Sequence, residues 1–326
     1  MKAIVFDKIG APRDVLRLAE VPVPEVADGE VLVRMVAASI SPGDFLFVGG
    51  LYPPPHKPTL PGQIAGAHGI GIVERCGEGA AIRTGSLVAL DAHGTWAEYV
   101  SVPADWLAPL PADYPIEKGA LLFNIITAWD LLADANAQAG QWVAVTGGNS
   151  SLGSMVTQFA AARGVRVISL VRQIRTGRDP RLLGATEAIE LTGLSVPLVD
   201  KVRDLTGGDG LNAVIDCVGG PAFGDLIRGA ALHCQVIVYG GMSEESFHLH
   251  NYDILLKNVS IRAHGYRYFF SPSRSHDNGF LQEVIGASSA SDFRVPFGGL
   301  HKLDDFTNAI EQTLSYAGGG KHFFRM

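Results

Sequence analysis

Hydrophobic and polar positions change their period along the chain, and the changes divide it. Over the first 122 residues, short apolar runs at Lys2–Phe6, Glu30–Ala37, Gly69–Glu74, Leu87–Leu90 and Trp96–Val102 alternate with turn clusters such as Pro53-Pro54-Pro55 and Leu60-Pro61-Gly62. Short strands with this punctuation predict a small barrel-like β domain. From about Ile125 the pattern becomes helix and strand in alternation. Trp142–Val145 is an unbroken apolar run of the kind a parallel sheet buries on both faces. Leu152, Met155, Val156, Phe159 and Ala160 then recur at i, i+3, i+4, i+7 and i+8, one face of a helix that Gly164 ends; Val165–Leu170 is a second buried strand. The alternation continues with a strand at Ala213–Cys217, a helix over Ala222–Leu232 and strands at Cys234–Tyr239 and Val259–His264. Helices over Gly279–Ala287 and Asp304–Leu314 follow. The predicted organisation is a β domain over 1–122, an inserted α/β domain over 123–264, and a return segment over 265–326 that completes the first.

Composition narrows the class. With 326 residues, 47% hydrophobic and 18% charged, the chain suffices for two domains with a large core and carries no repeat or disordered tail. A net charge of −7 with dispersed basic residues points away from nucleic acid and anionic membranes. No apolar run reaches the roughly 20 residues of a membrane helix. Met1-Lys-Ala-Ile-Val-Phe-Asp7 enters a strand directly, without a signal or transit pattern. Cys76, Cys217 and Cys234 form neither a disulfide framework nor a metal motif. The expectation is a cytoplasmic protein acting on a small molecule.

The turn between the first two parallel strands is the strongest chemical signal. Thr146-Gly-Gly-Asn-Ser-Ser-Leu-Gly153 places small residues where a strand passes into a helix, and backbone N–H groups at such a helix start suit a dinucleotide diphosphate. The candidate cradle is Asn149, Ser150, Ser151, Leu152 and Gly153. The match to G-x-G-x-x-G is incomplete, since Ser151 stands where a middle glycine is common, and a well-packed βα turn is the alternative reading. Past the second strand an NAD site carries an acid about 20 residues after the first glycine. Here the chain reads Leu170-Val-Arg-Gln-Ile-Arg175, and the first acid is Asp179. Arg172 and Arg175, with Arg178 beyond, suit a 2′-phosphate by charge-assisted hydrogen bonds, so NADPH is expected; otherwise they are solvated surface arginines.

Seven stretches in order carry a resemblance: Ser41-Pro-Gly-Asp44, Gly94-Thr-Trp-Ala-Glu98, Asn124-Ile-Ile-Thr-Ala-Trp129, Asn149-Ser-Ser-Leu-Gly153, Asp216-Cys-Val-Gly-Gly220, Tyr239-Gly-Gly-Met242 and Gly320-Lys321. The chain resembles the medium-chain dehydrogenase/reductase superfamily over essentially its whole length, within the zinc-independent quinone oxidoreductase and 2-enoyl thioester reductase branches. The implied fold is α/β: a doubly wound Rossmann sheet inserted into a GroES-like β-barrel catalytic domain. The zinc-ligand positions of many relatives fall at Ser41, Ala67 and near Phe123-Asn124. Ser and Ala supply no useful zinc ligand, the four-cysteine lobe is missing, and no metal is expected. His68 then reads as a packing or hydrogen-bonding histidine.

The resemblance also assigns candidate roles. Tyr52 matches the proton-donating tyrosine of the enoyl reductases, and a neutral phenol suits that work; an aromatic plug in a proline-rich loop is the alternative. Asn124 matches an asparagine at the nicotinamide or substrate end, or caps the helix Ile125–Ala133. Tyr239, Gly240, Gly241 and Met242 lie past a buried strand, where backbone can approach a cofactor. Lys321 matches a lysine reaching the cofactor cleft, though by itself it reads as a surface residue. His264-Gly-Tyr-Arg267 lines up with a loop framing the nicotinamide but lacks the aromatic pattern of the mitochondrial enoyl reductases, and the loop Phe269–Asn278 is placed at the substrate entrance. Relatives dimerise edge to edge, here through Val259–Ala263. The function expected is NADPH-dependent reduction of an activated double bond in a 2-enoyl thioester or enone. Quinone reduction is the alternative, and a non-catalytic NADPH-binding protein is the alternative of another class.

Overall fold

The computed structural model describes residues 1–271, 273–274, 276–315 and 319–326. Pro272 and Ser275 of the expected entrance loop, and Gly318 near the C-terminus, lie outside the described residues. The chain divides into two compact units: 126–267 with 292–294, and 1–125 with 268–291 and 295–326.

The first of these is built on six parallel strands in the spatial order Glu187–Glu190, Arg166–Val171, Trp142–Thr146, Leu211–Asp216, Ala230–Val238, Ser260–Ala263. In chain order this is 3-2-1-4-5-6, the doubly wound arrangement that reverses direction beside the first strand and opens a ligand crevice at the strands' carboxyl ends. All five residues of Trp142–Thr146 are buried, which explains its lack of alternation. Val143 pairs with Val167 on one side and Ala213 on the other. Ala144, Ile168, Leu170, Val214 and Val236 pack with Phe223, Leu226 and Ile227 of the helix Pro221–Arg228. At about 1.5–3 kcal/mol for each large apolar side chain, such burial holds the sheet.

The second unit is mostly antiparallel. Its larger sheet runs Phe297–Lys302, Lys321–Arg325, Glu30–Ser39, His68–Cys76, Leu87–Asp91, Leu107–Pro109, with Tyr99–Pro103 also paired to Glu30–Ser39; Arg17–Glu20, Lys2–Phe6 and Gln63–Ile64 form a smaller one. Gly69 and Gly71 let the two long strands approach closely, since a Cβ on either would lie 2.4 Å from Met35 or Val33. No helix among the described residues is long and apolar enough to cross a membrane.

Several expected boundaries move. The helix expected to reach Leu232 stops at Arg228, with Gly229 as its cap, because Ala230 already pairs with Leu211 in the sheet. The strand expected from Trp96 begins at Tyr99; Trp96 is fully buried and donates its indole N–H to the Ser39 carbonyl at 3.1 Å. The last helix is Phe306–Ser315, preceded by a 3₁₀ turn over Leu303–Asp305.

Candidate active site

The glycine turn is shaped by close packing. Gly147 turns the chain at φ +61°, and a Cβ on Gly148 would overlap the Ser169 hydroxyl at 1.7 Å. A Cβ on Gly153 would lie 2.5 Å from the Gly147 carbonyl, so the helix Ser151–Ala162 starts directly against the turn. Ser150 caps that helix, its hydroxyl accepting the Gly153 N–H at 3.1 Å. Gly153 is buried with its amide engaged by Ser150, while the Ser151 and Leu152 N–H groups at the first two helical positions have no intrahelical partner.

Asp216 shapes the adjoining strand end. It is buried, accepts the Thr146 hydroxyl at 2.6 Å, and accepts the Gly219 N–H at 2.9 Å. A Cβ on Gly240 would lie 2.3 Å from the Cys217 carbonyl, whereas Gly241 faces open space. Tyr239 and Met242 beside them are exposed. Burial pushes the Cys217 thiol up to about 12, leaving it unreactive. Past Arg166–Val171, Arg172 is exposed and Arg175 half-buried. Asp179 accepts the Arg181 N–H at 3.0 Å and pairs with its guanidinium, and Glu190 accepts the Ile174 N–H at 3.1 Å.

His264–Arg267 is tied to the helix Leu122–Ala135. His264 Nδ1 lies 2.8 Å from Asp134, which also meets Arg262, and Arg267 pairs with Asp130 at 2.8 Å.

In the β unit, polar groups from distant segments converge. Asp44, at the start of the short helix Pro42–Val48, is buried and accepts the Ser41 N–H at 2.7 Å. Burial drives its carboxyl up to about 6, against the opposing pull of His68, the Ser41 and Ala67 amides and Lys321. Lys321 is half-buried rather than a surface lysine; its ammonium donates to the Ser41 hydroxyl at 3.0 Å and the Ile40 carbonyl at 3.2 Å. Burial brings it down to about 8, with Asp44 resisting. His68 Nε2 lies 3.2 Å from Asp91; burial opposes its proton, but the charge and hydrogen bond of Asp91 prevail and raise it. His93 stacks on Phe47 with centroids 3.9 Å apart, and burial lowers it to about 4, so it is neutral.

Tyr52 is half-buried against the same core. A Cβ on Gly43 would approach its hydroxyl to 3.0 Å, so the glycine leaves room for that group. Burial, then the charges of Asp44 and Asp91, raise its pKa and keep it protonated. Asn124 is not a cap. The helix begins at Leu122, and the Asn124 side-chain oxygen is buried with no hydrogen-bond partner among the described residues. A buried acceptor left open in this way fits a donor arriving with a ligand.

Residues 27–112 match the alcohol dehydrogenase GroES-like domain and 151–275 the zinc-binding dehydrogenase domain. The chain is 31% identical to a mitochondrial enoyl-[acyl-carrier-protein] reductase of Arabidopsis thaliana over 80% of its length and 71% of that protein. It is 32% identical to the Xenopus tropicalis enzyme of the same name, over 80% and 75%. This chain is a medium-chain dehydrogenase/reductase. It belongs to the quinone oxidoreductase and enoyl thioester reductase branch, as the seven stretches implied. Among solved structures it is similar to a mycobacterial protein complexed with NADPH, at 26% identity and TM-score 0.86 over 100% of both chains. The Escherichia coli quinone oxidoreductase, at 21% identity and TM-score 0.87 over 100% of both chains, shares the fold.

Ser41, expected from the resemblance at a zinc-ligand position, accepts from Lys321. Among the described residues no group of three or more His, Cys, Asp or Glu is placed to hold a metal. Sequence reasoning missed Asp44, Asp91 and Asp216 as site-shaping groups. Asp44 and Asp216 sat inside quoted motifs, at a helix start and a strand end, which was the available signal. Asp91 ends the strand Leu87–Asp91 with no motif around it.

Proposed function

We propose that this medium-chain reductase uses NADPH to saturate an activated double bond, that of a 2-enoyl thioester or enone. When bound, the nicotinamide supplies the hydride. The Ser151 and Leu152 amides, flanked by Asn149 and Ser150, would hold the diphosphate, Arg172 and Arg175 the 2′-phosphate, and Asn124 an amide donor of the nicotinamide or substrate. Tyr239–Met242 would line the strand ends of the parallel-sheet unit, and in the β unit Lys321 would hold Ser41. Hydride addition at the β-carbon leaves negative charge on the substrate oxygen, and a proton must reach the α-carbon. Tyr52 supplies it: burial and two carboxylates keep the phenol protonated, and proton transfer from a positioned group contributes about 10²–10⁴ in rate. Net, one alkene, one NADPH and one proton give the saturated product and NADP⁺. The Tyr52 phenol, half-buried against the core with Gly43 leaving room for its hydroxyl, is the observation that carries the reading.

Crotonyl-CoA and 1,4-benzoquinone compared at equal NADPH test it. Faster crotonyl-CoA turnover that collapses in Tyr52→Phe supports it. Benzoquinone turnover indifferent to Tyr52 assigns quinone reduction, where solvent supplies the protons.

We also infer a homodimer through the edge strand Ser260–Ala263. All four of its residues are exposed, among the described residues it has a strand neighbour on one side only, and Tyr252, Leu255 and Leu256 nearby are exposed at 60–70%. The three free thiols fit the reducing cytoplasm.

A further inference from the structure

Arg274 is the least expected residue of the β unit. In a serine-rich loop it reads as a solvated arginine, yet it is 2% exposed. Its guanidinium carbon lies 4.2 Å from the centre of the Tyr268 ring and 4.8 Å from that of Phe123. Its ion pair with Asp91 is long, 3.4 Å from Nη2 to the carboxylate, whose other oxygen faces His68. Its Nε and Nη1 are closed to solvent and have no hydrogen-bond partner among the described residues.

A guanidinium cannot escape burial by losing its proton. Each unsatisfied donor on it carries the desolvation cost of a charged group, which ring contacts offset only in part. Anchoring the segment does not require this side chain, because the Arg274 backbone N–H already donates to the Asp105 carbonyl at 2.7 Å. The cation also shares its carboxylate with His68, and Asp91 acts on Tyr52 as well, so it belongs to the neighbourhood of the expected proton donor.

Resting on the reductase reading above, we propose that Arg274 binds the substrate oxygen that gains negative charge on hydride transfer, with Asp91 and His68 as positioning residues. The ligand chemistry is an oxyanion conjugated to carbon, from a thioester or ketone carbonyl or from a quinone oxygen. A dry cation brought to face such an oxygen does the work a metal ion does elsewhere. Because both open nitrogens are covered, binding includes a side-chain shift at Arg274 or Tyr268.

Two measurements on the full-length enzyme with NADP(H) test this. The first titrates 4-nitrophenol and follows phenolate absorbance. Wild type should shift the bound probe toward phenolate by about tenfold in its ionisation ratio; Arg274→Met should abolish the shift and Arg274→Lys keep part of it. An unchanged shift in either variant, or no phenolate binding by wild type, overturns the proposal. The second measures turnover. Arg274→Met should lower kcat about 100-fold, with NADPH affinity within twofold and partial rescue by added guanidinium. Loss confined to crotonyl-CoA assigns the thioester carbonyl, and loss confined to 1,4-benzoquinone the quinone oxygen. Parallel loss of NADPH affinity and kcat without rescue marks a purely structural arginine and overturns it. Should Arg274→Met not fold, Arg274→Lys decides: kcat equal to wild type rejects the assignment. Should wild type reduce neither acceptor, the reductase reading falls while the nitrophenolate titration still decides Arg274.

Discussion

In the parallel-sheet unit the candidate diphosphate site occupies Thr146–Gly153, eight consecutive residues whose donors are main-chain amides. In the β unit the polar groups come from Ser41, Asp44, Tyr52, His68, Asp91, Arg274 and Lys321, and the Lys321–Ser41 hydrogen bond spans 280 residues of chain. The first site depends on what is missing, since a Cβ at Gly148 or Gly153 collides with its neighbours. The second depends on what is present: charged side chains whose properties arise from one another. A backbone site is robust to sequence variation wherever a residue is small. A side-chain site can be retuned one group at a time, the economical place for substrate specificity to reside.

If that contrast holds, variants in the two units separate binding from chemistry. The largest effect is expected for Tyr52→Phe: a fall in kcat of about 100-fold or more, with NADPH affinity unchanged in a fluorescence titration. A parallel loss of NADPH binding would break the separation. The converse variant is Gly153→Ala, whose new methyl must displace the Gly147 carbonyl. It should raise the Kd for NADPH about tenfold or more, while the nitrophenolate signal persists.

Next in size is a pH effect confined to the β unit. The Asp44 carboxyl titrates at about 6 in the fold against 3.8 for an ordinary aspartate, so the folded state holds the proton through that window. Folding stability should therefore fall as pH rises from about 4 to 6, by roughly 2 kcal/mol, then level off. Denaturant unfolding of wild type against Asp44→Asn checks this, and the variant should lack the decline. Lys321 runs the other way. Its lowered pKa of about 8 means that its penalty lifts as pH rises from about 8 toward 10.5.

A smaller effect is expected for Arg172→Ala. The preference for NADPH over NADH should drop about tenfold with kcat for NADH intact, the loss of one charge-assisted contact. Unchanged selectivity would remove the 2′-phosphate assignment. Smallest for catalysis is Ile261→Lys on the edge strand, expected to yield a monomer by sedimentation with activity within about twofold; a retained dimer would place the interface elsewhere.

Legibility followed the same divide. The strand Trp142–Thr146, the turn after it and the helix Ser151–Ala162 could be read from the chain because each rests on local rules: a continuous apolar run, small residues, an i/i+3/i+4 face. The helix overrun to Leu232 was a local rule overridden, since Ala230 belongs to a sheet whose partner strand begins at Leu211. Asn124 was misread as a possible cap because the helix starts two residues earlier, where Leu122 and Phe123 are buried.

What the chain alone determined was the succession of elements, the glycine turn and the arginines that follow it, because periodicity and residue size act over a few neighbouring positions. What only the tertiary structure decided was which polar side chains lose their water. A lysine at 321, an aspartate at 44 and an arginine at 274 look ordinary in the sequence. Folding takes Asp44 and Lys321 out of water beside one another and buries Arg274 against Phe123 and Tyr268, and each gains a setting that no local pattern encodes.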